Sequence, residues 1–600
     1  MSRLIYNSRD LFYKTPFGAV PAGAEITFRV RAEEPAPGVF PVLRIFRADL
    51  WDTPAFELAM RPEDGAFSVK FTPEAPELLF YDFLYDGAVY RRGEDAAAVI
   101  DLSAHYQLTV YDAGAPVPEG FGGTVYQIFP DRFFEAGERR PCPYPDRRFH
   151  ADRSELPEWE PDENGDFCKD YFGGNLGGIM EKLEYLASLS VTELYLNPIF
   201  EAHSNHRYNT ADYTKIDPLL GTETDFALLC EKAHRLGMKV ILDGVWNHTG
   251  SDSVYFNAKG RYPGPPASDP ASPYHGWYAF GDYPCGYRAW WDFPDLPAAD
   301  GTNESFRELL CGPGGVIEKW LGLGADGFRL DVADELDEGF LREISAAVHR
   351  KPGAALIGEV WEDASNKIAY GKRRRYLLGG ELDGVMNYPA RTALLCWLRD
   401  GTPLRETLLD LYENYPAPSL ALSWNLLSTH DTERALTFLG CEPAEDHDRA
   451  WQAACHVPSP EQYARGKRLL TEAFAAMFTL PGTPCVYYGD EAGMYGYGDP
   501  FCRCCYPWGS EDAELREAVR QLGKLRKEHA ALMRGGFLLL RADEGALAFQ
   551  REAGGHLLLT MLNRGTEPQP LPPDWREAEP LFGRAENGEL GPEEAAALIR

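Results

Sequence analysis

Over roughly the first hundred residues, apolar and polar positions alternate with a period of two, as strands in a half-buried sheet require. EITFRVRA and LLFYDFLYDGAVY carry the alternation, and Pro, Gly and acidic turns separate them. Residues 1–118 therefore read as an N-terminal β-sandwich. At GFGGTVYQIFP the pattern changes, and short apolar runs begin to alternate with helical stretches. The order is TVYQIFP, a helix near 175–190, ELYLNPIF, a helix near 224–237, KVILDGV, GFRLDV, a helix near 338–350, ALIGEV, GVMNYP, WNLLSTHD and TPCVYYGDE. Runs without a polar alternation suit strands buried on both faces. Eight such runs, most followed by a helix, predict an α/β fold, a (β/α)8 TIM barrel over residues 119–530 whose functional face lies at the C-terminal ends of its strands. After a helix near 511–531 the alternation returns in GGFLLLRADEGALAFQREAGGHLLLTMLNRG, and residues 531–600 read as a C-terminal β-sandwich.

Roughly eighty residues separate the third and fourth barrel strands, too many for an idle connection. The seven Trp and Tyr between Tyr274 and Trp291 disfavour disorder there, so a small inserted lobe is expected over about 246–300. Trp290 and Trp291 fit either that lobe's own core or a substrate contact.

Charge narrows the partners. A formal net charge of −33 repels DNA, RNA and acidic membrane surfaces, so neutral or cationic substrates fit better and no nucleic-acid or membrane partner is expected. No run approaches the ~18 apolar residues of a membrane span, and the first residues carry no signal-peptide pattern, which gives a cytoplasmic expectation. The twelve Cys are scattered, several inside apolar runs, as reduced buried thiols would be. CRCC at 502–505 has no second Cys or His pair at zinc-site spacing and reads as a thiol-rich loop.

The chemistry gathers at strand ends. ILDGVWNHTG delivers Asp243, Asn247 and His248; FRLDV delivers Arg329 and Asp331; IGEVW delivers Glu359; LLSTHDTER delivers His430 and Asp431. In a barrel these converge on one rim, where crowded carboxylates raise at least one pKa and a guanidinium keeps its nearest partner ionised. That division suits glycoside hydrolysis, in which one carboxylate attacks the anomeric carbon and another protonates the leaving oxygen. Asp331 beside Arg329 is the better nucleophile, and Glu359, flanked by Val360 and Trp361 in IGEVW, is the better acid because desolvation raises its pKa. Asp243 reads as an orienting partner of Arg329, and Asn247 is grouped with it.

From about residue 120 to 510 these motifs, DGVWNH, GFRLDVADE, GEVW and LLSTHD, with VYQIFPDRF, HRYNTADY and GTPCVYYGDEAGM around them, resemble the α-amylase superfamily of glycoside hydrolases. The N-terminal sandwich makes the chain most similar to the neopullulanase, cyclomaltodextrinase and maltogenic amylase branch. The resemblance implies Asp331 as nucleophile, Glu359 as acid/base and Asp431 as stabiliser. It further implies Tyr208, His248, Arg329, His430 and Trp361 as sugar contacts, with Asp499 and Arg503 of DPFCR as further ones. It implies a retaining hydrolase of α-glucosidic bonds in maltooligosaccharides, cyclodextrins or pullulan, with transglycosylation as a competing fate and a homodimer through the N-terminal domain. An exo-acting α-glucosidase and a non-catalytic glucan-binding barrel stay open beside it. Two departures bear on linkage preference: VADE, with Asp334 where relatives often carry Asn, and FPDLPAAD in the lobe. The loop after the first strand, where relatives often hold calcium, is FFEAGERRPCPYPDRRF, with Arg and Pro where oxygen ligands would stand; no metal site and no required cofactor are expected.

Overall fold

The computed structural model describes every residue except Met1, Ser2, Ala36, Trp51, 101–103, Pro143, Glu163, Asn164 and Asp166. Parts of the expected N-terminal sandwich, and Pro143 in the loop after the first barrel strand, therefore lie outside the described residues. The chain forms two compact units.

The larger unit comprises Pro118–Val360, Val385–Leu404 and Ala421–Arg600. It is built on an eight-stranded sheet of β1 (Val125–Ile128), β2 (Glu193–Leu196), β3 (Lys239–Gly244), β4 (Gly327–Leu330), β5 (Ala355–Gly358), β6 (Gly384–Val385), β7 (Trp424–Leu426) and β8 (Thr483–Tyr487). The strand order is β6-β5-β4-β3-β2-β1-β8-β7, and a parallel bridge from Met386 to Trp424 closes the sheet into a barrel. All residues of β1, β2, β4, β5 and β8 are buried, which accounts for their unbroken apolar runs. Tyr195, Ile241, Ile357, Met386 and Trp424 are among the side chains that fill the interior. Gly327 opens β4 because any Cβ there would lie 2.2 Å from the Ala355 carbonyl oxygen of the neighbouring strand.

The helix expected near 175–190 is two, Leu176–Glu181 and Leu183–Ser188, with Lys182 at φ −102 between them. The lobe after β3 has little regular structure and is held by rings: Tyr255 on Trp277 at 5.2 Å, Trp277 on Phe306 at 4.9 Å and Phe256 on Tyr278 at 4.8 Å. Trp291 is not part of that packing core; it is 75% exposed. At the chain's end, Gly536–Ala542, Ala546–Ala553, His556–Asn563, Glu594–Ile599 and Glu579–Phe582 form an antiparallel five-stranded sheet, with a two-stranded sheet of Gln569–Pro570 and Glu589–Leu590.

The smaller unit joins residues 1–117 to Trp361–Gly384 and Arg405–Leu420. Its two sheets enclose Ile26, Phe28, Val30, Leu43, Ile45, Tyr81, Phe83, Leu108 and Val110, so the alternating LLFYDFLYDG is core. Leu11 and Phe12 of DLFYKTPFG stay exposed. Arg9 ties the first residues to the 405–420 helical segment through Glu406 at 3.1 Å, Asp410 at 2.8 Å and Glu413 at 3.1 Å.

Candidate active site

Arg329 lies on β4 with its side chain wholly buried, and the site is built around it. Its Nη1 donates to Asp243 Oδ1 at 2.8 Å and to Asp331 Oδ1 at 3.0 Å, while Nη2 lies 2.8 Å from Glu359 Oε2. One guanidinium thus gathers the ends of β3, β4 and β5. Register explains the meeting, since Asp243 pairs with Arg329 and Arg329 with Ile357 across the parallel ladders. Asp243 is fully engaged: its Oδ2 accepts from Tyr195 at 2.7 Å and Tyr208 at 2.8 Å.

Between the two expected catalytic carboxylates the backbone is strained. Val332 adopts φ 40, ψ 66, a left-handed conformation costly for a β-branched residue. The turn aims the Val332 N–H at Glu359 Oε2, 2.7 Å away, and so fixes Glu359 beside Asp331. Asn247 Nδ2 donates to the Asp331 carbonyl at 3.3 Å.

A second guanidinium organises the opposite side. Arg503 donates through Nε to the His430 carbonyl at 2.7 Å and through Nη2 to Asp431 Oδ1 at 3.3 Å, and its Nη1 lies 2.8 Å from Asp499 Oδ1. Tyr208 and His430 lie ring on ring, 5.1 Å apart and 2° from parallel, and are joined through Tyr208 Oη and His430 Nε2 at 2.5 Å. His248 Nε2 is 3.2 Å from the Tyr208 carbonyl. Burial pushes the His248 imidazole down to about 4 and holds His430 well below its usual value, with Arg503 and Arg329 adding to the latter. Both rings are therefore neutral at ordinary pH.

The five carboxylates exceed the two cations. Burial pushes Asp331 well above the usual carboxylate range, Arg329 opposes this, and Glu359, Asp243 and Asp431 add to the rise. Asp431 and Asp499 are raised by burial as well, against the pull of Arg503. Such a site retains a proton among its carboxyls and favours positive charge placed between them.

Asp331, Glu359, Asp431, Tyr208, His248, Arg329, His430, Asp499, Arg503, Asp243 and Asn247 all belong to the larger unit. Trp361 is 47% exposed and is grouped with the smaller one. Sequence reasoning passed over Gln127, Asn197 and Tyr195. Gln127 Nε2 reaches Asn197 Oδ1 at 3.0 Å and His430 Nδ1 at 2.9 Å, and Asn197 Nδ2 donates to Tyr208 Oη at 2.9 Å. The available signal was an amide inside each of two otherwise apolar runs, VYQIF and LYLNPIF.

Glu135 is held bidentately by Arg139 at 2.8 and 3.0 Å. Asn175 is spent capping a helix at Gly178 N and bonding the Ala136 carbonyl. Among the described residues no group of three or more His, Cys, Asp or Glu is arranged to hold a metal ion, and no helix is long and apolar enough to cross a membrane. In CRCC, all three cysteines are free thiols.

The chain is 34% identical to an amylopullulanase of Thermoanaerobacter thermohydrosulfuricus over 91% of its length and 40% of the relative's. It spans less than half the length of this and two further amylopullulanases, from Thermoanaerobacterium saccharolyticum and Thermoanaerobacterium thermosulfurigenes. A cyclomaltodextrinase of Geobacillus thermopakistaniensis is 33% identical over 76% of this chain and 71% of that protein. Among solved structures, the type III pullulan hydrolase from Thermococcus kodakarensis superposes with a TM-score of 0.67 at 27% identity, covering 100% of both chains. The model of the α-amylase catalytic domain matches residues 127–535, from β1 past β8 and around every strand-end carboxylate described above, and the chain belongs to the α-amylase family.

Proposed function

We propose that this protein hydrolyses α-glucosidic bonds in maltooligosaccharides, cyclodextrins or pullulan with retention at the anomeric carbon. The observation that carries the reading is the single Arg329 guanidinium shared by Asp331 and Glu359, with Val332 N–H locking Glu359 in place. Two carboxyls held by one guanidinium stand close together, as a retaining pair does at about 5–5.5 Å, and leave less room than the ~6.5–9.5 Å an inverting pair needs for its water.

Burial places the shared carboxyl proton on Asp331 at rest, so the reactive form is the one in which that proton has moved to Glu359; from it, ionised Asp331 attacks the anomeric carbon while Glu359 passes the proton to the leaving oxygen. The glycosidic bond breaks and a glycosyl ester of Asp331 forms. In the second step Glu359 takes a proton from water, whose oxygen displaces Asp331 and restores both groups. A sugar hydroxyl in place of water gives transglycosylation. The net negative charge of the carboxylates stabilises the oxocarbenium-like transition states, and Asp431, reachable from solvent and backed by Arg503, accepts hydrogen bonds from ring hydroxyls there. Tyr208 offers its ring face to the same sugar, with neutral His248 and His430 as hydrogen-bond partners. No step requires a metal.

The relatives' names, amylopullulanase and cyclomaltodextrinase, support the substrate class. The twelve free thiols support a cytoplasmic location, and exposed Leu11 and Phe12 support a homodimer through the N-terminal sandwich. The deciding experiment follows products from maltoheptaose, β-cyclodextrin and pullulan over time by chromatography, with anomeric configuration read by NMR. Hydrolysis with first-formed α-anomers is expected, and Asp331→Asn and Glu359→Gln each lose about 10³-fold or more of turnover with the melting temperature kept. Near wild-type turnover in either variant, or β-anomers first, overturns the reading.

A further inference from the structure

Beyond β1 the chain runs through residues 145–162 and forms a cleft of about 710 Å³, within the range of small-molecule sites. Leu156, Pro157 and Trp159 supply its apolar wall, and Asp146 and Glu160 are among its polar lining. Side chains brace the cleft. Arg148 Nη1 donates to Asp162 Oδ2 at 2.7 Å and the same guanidinium holds Glu158. Glu158 N donates to Asp170 Oδ2 at 3.2 Å, and Arg153 grips the Phe172 and Arg132 carbonyls at 2.8 and 2.9 Å. The Trp159 ring lies 6.5 Å from that of Phe501, in the same short turn as Arg503 and two residues from Asp499. The cleft therefore borders the Asp499–Arg503 side of the candidate active site.

We propose that this cleft is an additional glucosyl-binding subsite, with Trp159 as its stacking platform, that takes the extension of an α-glucan chain beyond the sugar held at Asp499 and Arg503. The proposal rests on the function argued above and deepens it. The chemistry selects the ligand class. Carboxylates on the rim repel phosphates and other anions, and the cleft's Arg148 is already committed to Glu158 and Asp162. A lipid or other apolar ligand would cover the Glu160 carboxylate without offering it a donor and would give none to Asp146 Oδ1, whose neighbour Oδ2 already accepts from Arg261 at 3.1 Å. A neutral polyhydroxyl ring satisfies both halves, its C–H face on the indole and its hydroxyls donating to the carboxylates.

Calorimetric titration of the full chain carrying Glu359→Gln, with maltohexaose and with maltose, tests this. Adding Trp159→Ala is expected to weaken maltohexaose about ten-fold and leave maltose unchanged, with Trp159→Phe recovering most of the loss and all variants melting at the parent's temperature. Unchanged maltohexaose affinity in Trp159→Ala, against a parent that binds, overturns the subsite alone. Equal loss for both sugars places Trp159 in the fold or the central site and overturns it too. A parent that binds neither sugar overturns the functional reading, and the subsite with it.

Discussion

Val332 shows in one residue how this site uses strain. Its left-handed backbone opposes the preference of a β-branched side chain, yet that turn presents its N–H to Glu359. Val332→Gly should relieve the strain and raise stability by about 1 kcal/mol, while loosening the support of Glu359 and lowering kcat severalfold. Calorimetric melting beside steady-state kinetics on one maltooligosaccharide checks both signs; a variant with unchanged melting and unchanged kcat would mean the turn stores nothing the reaction uses. Arg329 makes a related point about legibility. FRLDV announced an ion pair between neighbours two apart, but Asp243 and Glu359, partners from other strands, share the same guanidinium.

At the scale of elements, β2 carries both a buried carboxylate, Glu193, and the overlooked site tyrosine, Tyr195. Glu193 at its start accepts from Gly122 N and Gly123 N at 3.0 and 3.1 Å, and burial pushes its carboxyl from 4.5 up to about 7. A carboxyl raised on folding contributes its stability in full below the unfolded value and loses it as pH rises through the folded one. The window here is pH 4.5 to 7. Glu193→Gln keeps an acceptor for the two glycine amides and cannot ionise. The variant should therefore gain on the wild type as pH rises across that window, by up to about 3 kcal/mol, in urea denaturation at pH 4.5, 6 and 7.5. Parallel curves at all three pH values would place the charged form of Glu193 in a better-solvated position than its burial allows. Periodicity foresaw β2 as a buried strand, but a carboxylate inside it has no local signature, because the glycine amides that receive it lie 70 residues earlier.

At the scale of the whole molecule, two expectations concern what holds the protein in its working form. With Glu135 already neutralised by Arg139, EDTA should leave both activity and melting temperature nearly unchanged. A fall of many degrees, restored by calcium, would reveal a site elsewhere. Removing residues 1–117 would strip Arg9 from Glu406, Asp410 and Glu413 and uncover the face of the 405–420 segment that it binds. The truncated chain should melt well below the full one. In the proposed dimer, Leu11→Asp in the intact chain should halve the mass seen by light scattering without changing melting; one mass for both proteins would dismiss the N-terminal contact.

The sequence alone determined the barrel and the positions of Asp331, Glu359 and Asp431. Both follow from local rules: apolar runs bury strands on both faces, and residues just past a parallel strand emerge at its C-terminal rim. The alternation in LLFYDFLYDG likewise placed a core, whereas DLFYKTPFG, too short to show a period, divides: Tyr13 joins that core while Leu11 and Phe12 stay exposed. Tertiary structure alone decided which rim residues share a partner. Parallel ladders set β1 between β2 and β8, and folding brings Gln127 to His430 across 303 residues and Trp159 beside Phe501. Strand period and hydrophobicity are properties of neighbours along the chain, while ion pairs, amide networks and clefts depend on which distant segments folding brings within a few ångströms.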